Sequence, residues 1–261
     1  MVTAVSPLLD VRDVTLQYKT SEQLVTATWK VSFQADRSDR LVLLGPSGCG
    51  KSTLLKAIGG YLTPAEGAIT LEGKPVRGPG PDRVMVFQET EQLLPWKTVK
   101  QNVAFALIAS GRASRQDAAD QAMNAIRTVK LEKFADAYPH TLSGGMKQRV
   151  AIARCLAMKP DIVLMDEPFA ALDALTRQQM QEELLELWDR SKFTLIFVTH
   201  SIEEAILLGN RVVLLSPHPG QVKEILEVNL DDPDNRFYGC YDQLRDTINR
   251  VLFKDVGDYV I

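Results

Sequence analysis

Gly45-Pro46-Ser47-Gly48-Cys49-Gly50-Lys51-Ser52-Thr53 concentrates more chemistry than any other stretch of the chain. Its residues fall at the spacing G-x-x-x-x-G-K-[ST]. Glycines at those positions let successive N–H groups converge on one anion. A helix opening beyond them adds its own donors and dipole. Lys51 offers a point charge to the β- and γ-phosphates of a nucleoside triphosphate, and the Ser52 hydroxyl offers a ligand to Mg²⁺. Two acids, Asp166 and Glu167, follow the apolar run Ile162-Val163-Leu164-Met165. At the C-terminal end of a strand in a parallel sheet, such acids face the ligand crevice. Asp166 would hold the Mg²⁺ shell, and Glu167 would orient and polarise a water attacking the γ-phosphate. A third stretch, Leu142-Ser143-Gly144-Gly145-Met146, places a capping hydroxyl and two glycines before a helix predicted over Lys147–Met158. That makes a second anion site.

These residues need elements to hold them. The continuous apolar run Leu41–Leu44 reads as a buried strand entering the phosphate loop, and Leu54, Leu55 and Ile58 as the apolar face of the helix leaving it. Upstream, Val14, Leu16 and Tyr18 alternate with polar residues, as do Trp29, Val31 and Phe33. Both segments are predicted to be half-buried strands of a small antiparallel sheet. Ala68–Leu71 reads as a short strand, and Val84–Phe87 as a buried one ending at Gln88. Thr98–Ser110 carries Val99, Val103, Ala106 and Leu107 at helical spacing. Ser114 with Asp117 resembles a capping box opening a helix to about Val129. Glu89–Met158 therefore reads as an inserted all-helical subdomain. Further strands are predicted at Thr194–Val198, Arg211–Leu215 and Val222–Val228. A helix carrying Met180, Leu184, Leu187 and Trp188 precedes them, and Ser201 with Glu204 forms another capping box. Asn235–Phe253 is predicted to be a C-terminal helix. Strands separated by helices give an α/β fold with a mainly parallel sheet.

The 261 residues suffice for one large domain or two subdomains, and 45% hydrophobic with 24% charged residues is ordinary for a soluble globular protein. A formal net charge of −3 argues against nucleic acid as the main partner. Cys49, Cys155 and Cys240 lie far apart without metal-ligand spacing, which suits a reducing cytoplasm. Met1–Asp10 has neither the charge nor the apolar core of a signal peptide. No run approaches the roughly 20 apolar residues of a membrane span, so any membrane role goes through a partner.

Leu142-Ser143-Gly144-Gly145, between the two ATP motifs, is similar to the signature motif of ATP-binding cassette (ABC) ATPases, and the resemblance covers about Leu8 to Val228. It implies an α/β P-loop NTPase fold of the ABC type, with an N-terminal antiparallel β subdomain and an inserted helical subdomain. Residues 8–88 and 159–228 would form the catalytic core, 89–158 the helical subdomain and 229–261 a C-terminal helical tail. Gln88 looks like the Q-loop glutamine that touches Mg²⁺ or water. Ala171-Leu172-Asp173 looks like the D-loop, and His200 like the switch histidine that contacts the γ-phosphate. Tyr18 resembles the aromatic that stacks on adenine, and a strand-face core tyrosine is the competing reading. Two such chains would lie head to tail, so that Ser143, Gly144 and Gly145 of one complete the ATP site at Lys51 of the other.

Within the family, Gly78-Pro79-Gly80, Leu93-Leu94-Pro95-Trp96, Asn102-Val103-Ala104-Phe105 and Asp166–Arg177 look like the ATPase subunits of importers for taurine, aliphatic sulfonates and nitrate. The implied partners are integral membrane permease subunits and an extracytoplasmic solute-binding protein, with the chain at the cytoplasmic face of the membrane. Trp96 would border the groove that receives a permease helix, or else it is a packing aromatic. Met146 stands where the signature usually has Gln, and Ser38-Asp39 where Gly-Glu is common. Cassette proteins of translation and DNA repair resemble fused cassettes or cassettes split by coiled coils. This chain has one set of motifs and no heptad tract. A small-molecule kinase would leave Ser143-Gly144-Gly145 without a purpose.

Overall fold

The computed structural model describes residues 6–19, 24–88, 92–229 and 239–253. Two compact units emerge, one from Met1–Pro79 with Thr194–Ile261 and one from Gly80–Phe193. The first unit begins with β1 (Leu9–Lys19), β2 (Leu24–Ala35), β3 (Arg40–Leu44), α1 (Lys51–Ile58), β4 (Glu66–Leu71) and β5 (Lys74–Pro75). The second holds β6 (Arg83–Val86), α2 (Val99–Ala109), α3 (Ala118–Thr128), α4 (Gly144–Ala157), β7 (Ile162–Asp166) and α5 (Ala174–Ser191). The chain then returns to the first with β8 (Thr194–Thr199), α6 (Ile202–Leu208), β9 (Arg211–Leu215), β10 (Val222–Glu227) and α7 (Gly239–Phe253).

In the first unit, β2, β1, β4 and β5 form an antiparallel sheet in that order. Val14, Leu16, Val31 and Phe33 are buried in its core, as their alternation predicts. Tyr18 and Trp29 break the pattern at 49% and 44% exposure. The register of β1 on β2 shifts three times, between Val11 and Val14, between Val14 and Leu16, and between Leu16 and Gln17. Asp13 and Lys30 sit at positive φ near these shifts. Each added residue reverses which face the next side chains occupy, so a period of two does not survive to the strand end.

The same unit contains a parallel layer. β3 pairs with β8 on one side and β9 on the other, both parallel, and β10 pairs antiparallel with β9. Leu41–Leu44, Leu195–Val198 and Val212–Leu215 are essentially inaccessible to solvent. Burial on both faces explains why these strands read as unbroken apolar runs. Full burial of each large aliphatic side chain is worth about 1.5–3 kcal/mol. Helix α7 packs its Ile248 and Leu252 inward, and the Lys223 ammonium donates to the Val251 carbonyl. The predicted beginning of this helix, Asn235–Tyr238, lies outside the described residues, as do Met1–Val5 and Glu89–Glu91.

In the second unit, β6 and β7 pair in parallel. Thr98 and Gln101 form a reciprocal capping box at α2. Buried Asn102 accepts from the Leu94 N–H and donates to the carbonyls of Leu94, Lys97 and Thr98, stapling the turn that carries Trp96. Ser114 and Asp117 do pair, the hydroxyl donating to the carboxylate and accepting from the Asp117 N–H. They close a separate turn, however, and α3 begins only at Ala118. Helix α4 begins at Gly144, three residues before the predicted start.

Asp39 fastens the entry to β3. Its carboxylate accepts from Arg211 Nη1 at 3.0 Å, Asn210 Nδ2 at 3.2 Å and the Asp36 N–H at 2.9 Å. Ser38 before it adopts φ 65°, a left-handed conformation that glycine takes more freely, in keeping with the glycine common there. Asp39→Ala leaves a half-buried guanidinium and two donors without their acceptor. It is expected to destabilise the chain by about 2–4 kcal/mol. Urea unfolding of the full chain measures this, and an unchanged midpoint contradicts it.

Candidate functional site

The phosphate loop leaves β3 and is shaped by close backbone approach. Gly48 and Gly50 stand at φ 79° and 96°. A Cβ on Gly50 would sit 2.6 Å from the Ala27 carbonyl, and one on Gly45 2.9 Å from the Leu215 carbonyl. A Cβ on Gly220 would meet the Cys49 carbonyl at 2.1 Å. Gly220 also donates to Ala27 and accepts from Trp29. The loop is thus held between β2 and the turn after β9. The sequence gives Ala27 and Gly220 no distinguishing mark, since Pro217-His218-Pro219-Gly220 signals only a turn.

Lys51 is buried, and its ammonium donates to the carbonyls of Gly45 at 2.7 Å and Pro46 at 2.9 Å. A third contact runs to Cys49 Sγ at 3.9 Å, so a phosphate oxygen would take the place of one of these partners. Cys49 points inward and is fully buried. Burial pushes its thiol up from the ordinary value, against the opposing pull of the Lys51 charge. Cys155 on α4 is pushed up to about 12 by burial. At neutral pH both stay protonated, packed as small apolar side chains.

In the parallel layer Leu44 lies opposite Thr199, so the phosphate loop and His200 leave neighbouring strands at the same end. Ser201 caps α6 by accepting from the Glu204 N–H at 3.2 Å. The reciprocal bond of the predicted capping box is replaced by a relay: the Ser201 N–H donates to Thr199 Oγ1, whose hydroxyl donates to Glu204 Oε2. His200 is pinned on both sides and exposed to solvent. Tyr18 is opposite Val25, two residues before Ala27. Its exposure removes the core-tyrosine reading.

The second unit repeats the arrangement. Val86 lies opposite Met165, so Gln88 and the Asp166–Glu167 pair also leave parallel neighbours at one end. Asp166 is buried. Glu167 stands at φ 43° directly before Pro168, a conformation unfavourable for a residue preceding proline. Arg177 supports the following loop by donating to the carbonyls of Phe169 and Leu172. Gln92 closes on the peptide of Phe87, accepting from its N–H and donating to its carbonyl. Arg154 of α4 donates to the Gln92 carbonyl at 2.8 Å.

Ser143 caps α4, its hydroxyl accepting from the Met146 N–H at 3.3 Å. Gly144 and Gly145 form the first turn. A Cβ on Gly145 would stand 2.9 Å from Thr176 Cγ2, so the opening turns of α4 and α5 are packed together. Asp173 caps α5 by accepting from the Thr176 N–H at 3.0 Å. Hydrogen bonding from Thr176, its side chain first and its backbone N–H second, holds the Asp173 carboxyl below the ordinary Asp value. Its contribution is complete above the unfolded-state value and is lost as pH falls through the depressed one.

The residues present fit a bound triphosphate and Mg²⁺. Gly48 and Gly50 take the left-handed turns that allow successive N–H groups to converge on an anion, and the Lys51 ammonium lies against the same loop. Among the described residues no group of three or more His, Cys, Asp or Glu could hold a metal. Ser52 in the first unit and Asp166 in the second each carry a hard oxygen of the kind Mg²⁺ accepts beside phosphate and water.

Strand-loop-helix phosphate site, acids at a parallel strand end and a serine-capped glycine turn together define a nucleotide-hydrolysing α/β protein of the P-loop class. The sequence profile of the ABC transporter family matches residues 29–170, and the chain belongs to that family. It is 53% identical over 198 residues to the taurine import ATP-binding protein TauB of Rhizobium johnstonii, covering 76% of this chain and 75% of that one. It is 40% identical over 237 residues to the aliphatic sulfonates import ATP-binding protein SsuB of Bacillus thuringiensis, covering 91% and 92%. The structure superposes with TM-score 0.72 and 31% identity on an ATP-binding cassette in a dimeric post-hydrolysis state bound to ADP and Pi, covering 85% of this chain and 99% of that one.

Gly50→Ala adds a methyl group where the φ is left-handed and the Ala27 carbonyl is 2.6 Å away. The loop must open, at a cost of about 1–3 kcal/mol. Binding of a fluorescent ATP analogue is expected to fall at least tenfold, and thermal melting to report the strain. Unaltered affinity would show that the loop curvature is not what binds phosphate.

Proposed function

We propose that this chain is the ATP-hydrolysing subunit of a membrane importer for a small anion, a sulfonate, taurine or nitrate. The observation that carries it is a second anion-ready helix start, Ser143-Gly144-Gly145, packed on the Asp173 cap in a chain that already has a complete phosphate loop. One nucleotide needs one such loop. A second donor set at a different helix is used when two copies face each other head to tail in a twofold dimer.

Lys51 balances the charge of the transferring phosphate, and the amides of residues 45–53 orient it. Ser52, Gln88 and Asp166 would hold Mg²⁺, whose charge would offset that of the phosphates. Glu167 accepts the proton of the attacking water, and its strained backbone fixes the carboxylate's direction. His200 donates to the γ-phosphate, and Tyr18, exposed on β1, stacks on adenine. Ser143, Gly144 and Gly145 of the second subunit close the site, with Asp173 beside them. Loss of the bridging phosphate separates the two subunits, and the permease follows.

No described helix is long and apolar enough to cross a membrane. In this reading attachment runs through permease subunits, at the cytoplasmic face, with an extracytoplasmic solute-binding protein supplying the cargo. Trp96 is 69% exposed and, with Phe105 and Ile108, lines a groove of about 450 Å³ on α2. A packing aromatic would be covered, and the exposure of Trp96 supports reading this groove as the seat of a permease helix. Nucleic acid has no part in this reading. The cargo rests on the names of the relatives. Disruption of the gene should abolish growth on a sulfonate or on nitrate as the sole source of sulfur or nitrogen. Normal growth on all of them, with loss of another uptake, rejects that cargo.

Glu167→Gln retains Lys51, Ser52 and Asp166 but cannot take a proton from water. ATP hydrolysis should fall by at least about 10²-fold while ATP binding persists. Sedimentation should then show monomers without nucleotide and dimers with ATP. Adding Ser143→Arg should restore monomers by occupying the partner's phosphate position. A dimer indifferent to Ser143→Arg would place the contact elsewhere.

A further inference from the structure

Away from every residue given a role above, the second unit has a cavity of about 600 Å³ where α3, α4 and α5 end. That volume is within the range of small-molecule sites, roughly 300–1,000 Å³. Three cations line it: Arg112 from the loop after α2, Lys159 just past α4, and Arg190 in the last turn of α5. No Asp or Glu is among its lining residues. The apolar floor comes from Leu156, Met158 and Leu187.

Basic residues near helix C-termini commonly offset the partial charge of the terminal carbonyls. Arg190 does so while reaching Glu186 at 3.7 Å. Arg112 and Lys159 exceed that need. Among the described residues neither has a carboxylate within ion-pair distance, and Arg112 belongs to none of the three helix ends. The neutral polar lining points the same way. Asn124 Oδ1 is already taken by Arg127, which leaves its amide N–H groups to donate. Cations and donors at the rim over an apolar base are complementary to a molecule with an anionic head and a short hydrocarbon body.

We infer that this cavity is a binding site for a small organic anion, an aliphatic sulfonate or carboxylate, on the helical part of the ATPase. The oxyanion rests between Arg112 and Lys159, and the aliphatic part lies on Leu156, Met158 and Leu187. Inorganic sulfate satisfies only the first contact, and an alkylammonium meets three cations.

The test titrates the full chain with butanesulfonate, inorganic sulfate and butylammonium at constant ionic strength, followed by amide NMR. Butanesulfonate should bind saturably in the millimolar range, sulfate more weakly, and butylammonium not at all. Lys51→Ala should leave this binding intact, which separates it from anion capture at the phosphate loop and from the ATPase reading. Arg112→Gln with Lys159→Gln, both exposed, should weaken it about tenfold or more while basal ATPase is unchanged. Ala125→Trp should fill the cavity and abolish it. Failure of butanesulfonate to saturate, affinity unaffected by the paired substitution or by Ala125→Trp, loss of binding in Lys51→Ala, or equal binding of sulfate would each overturn the assignment.

Discussion

The structure depends on how closely three backbone segments can approach at the phosphate loop. Gly45 faces the Leu215 carbonyl, Gly50 the Ala27 carbonyl, and Gly220 the Cys49 carbonyl, each within a distance that excludes a side chain. This contact dictates much of the first unit. β2 must present Ala27, β9 must be followed by a turn that delivers Gly220, and β3 must run between β8 and β9 to launch the loop. Fully buried Cys49 anchors the loop from within. The same packing sets the course of the loop amides around Lys51, so specificity for phosphate comes from backbone packing as much as from lysine charge.

The two helix starts in the second unit are capped by different chemistry, and the difference matters. Asp173 brings a negative charge that neutralises the start of α5. Ser143 does the same geometric work for α4 without a charge, leaving the positive end of that helix free to act on an anion. An aspartate at position 143 would cap equally well and repel phosphate. Packing of Gly145 on Thr176 keeps the charged cap and the neutral one together, while the Arg149–Glu183 ion pair joins the two helices further along.

Local patterns were legible in the sequence because the physics behind them is local. A glycine-lysine loop between a buried strand and a helix, and two acids after an apolar run, describe themselves within ten residues. The exposure of Tyr18 was not readable, because bulges in β1 cancel the alternation that suggested burial. The sequence suggests a later start for α4 because glycine is a poor helix former. In a first turn, whose N–H groups have no intrahelical partner, that penalty matters less than the room a missing Cβ leaves for Thr176. Ala27 and Gly220 support the loop from positions distant in sequence. The left-handed backbone of Glu167 has no signature in a string of letters.

Gln92 has a consequence of a mechanical kind. Its side chain clasps the Phe87 peptide, one residue before Gln88, and its carbonyl is gripped by Arg154 in the last turn of α4. Helix α4 has 14 residues, about 21 Å of rigid rod, with Ser143 at the far end. A tug on the peptide beside Gln88 is therefore delivered to the tail of a lever whose tip carries the second anion site.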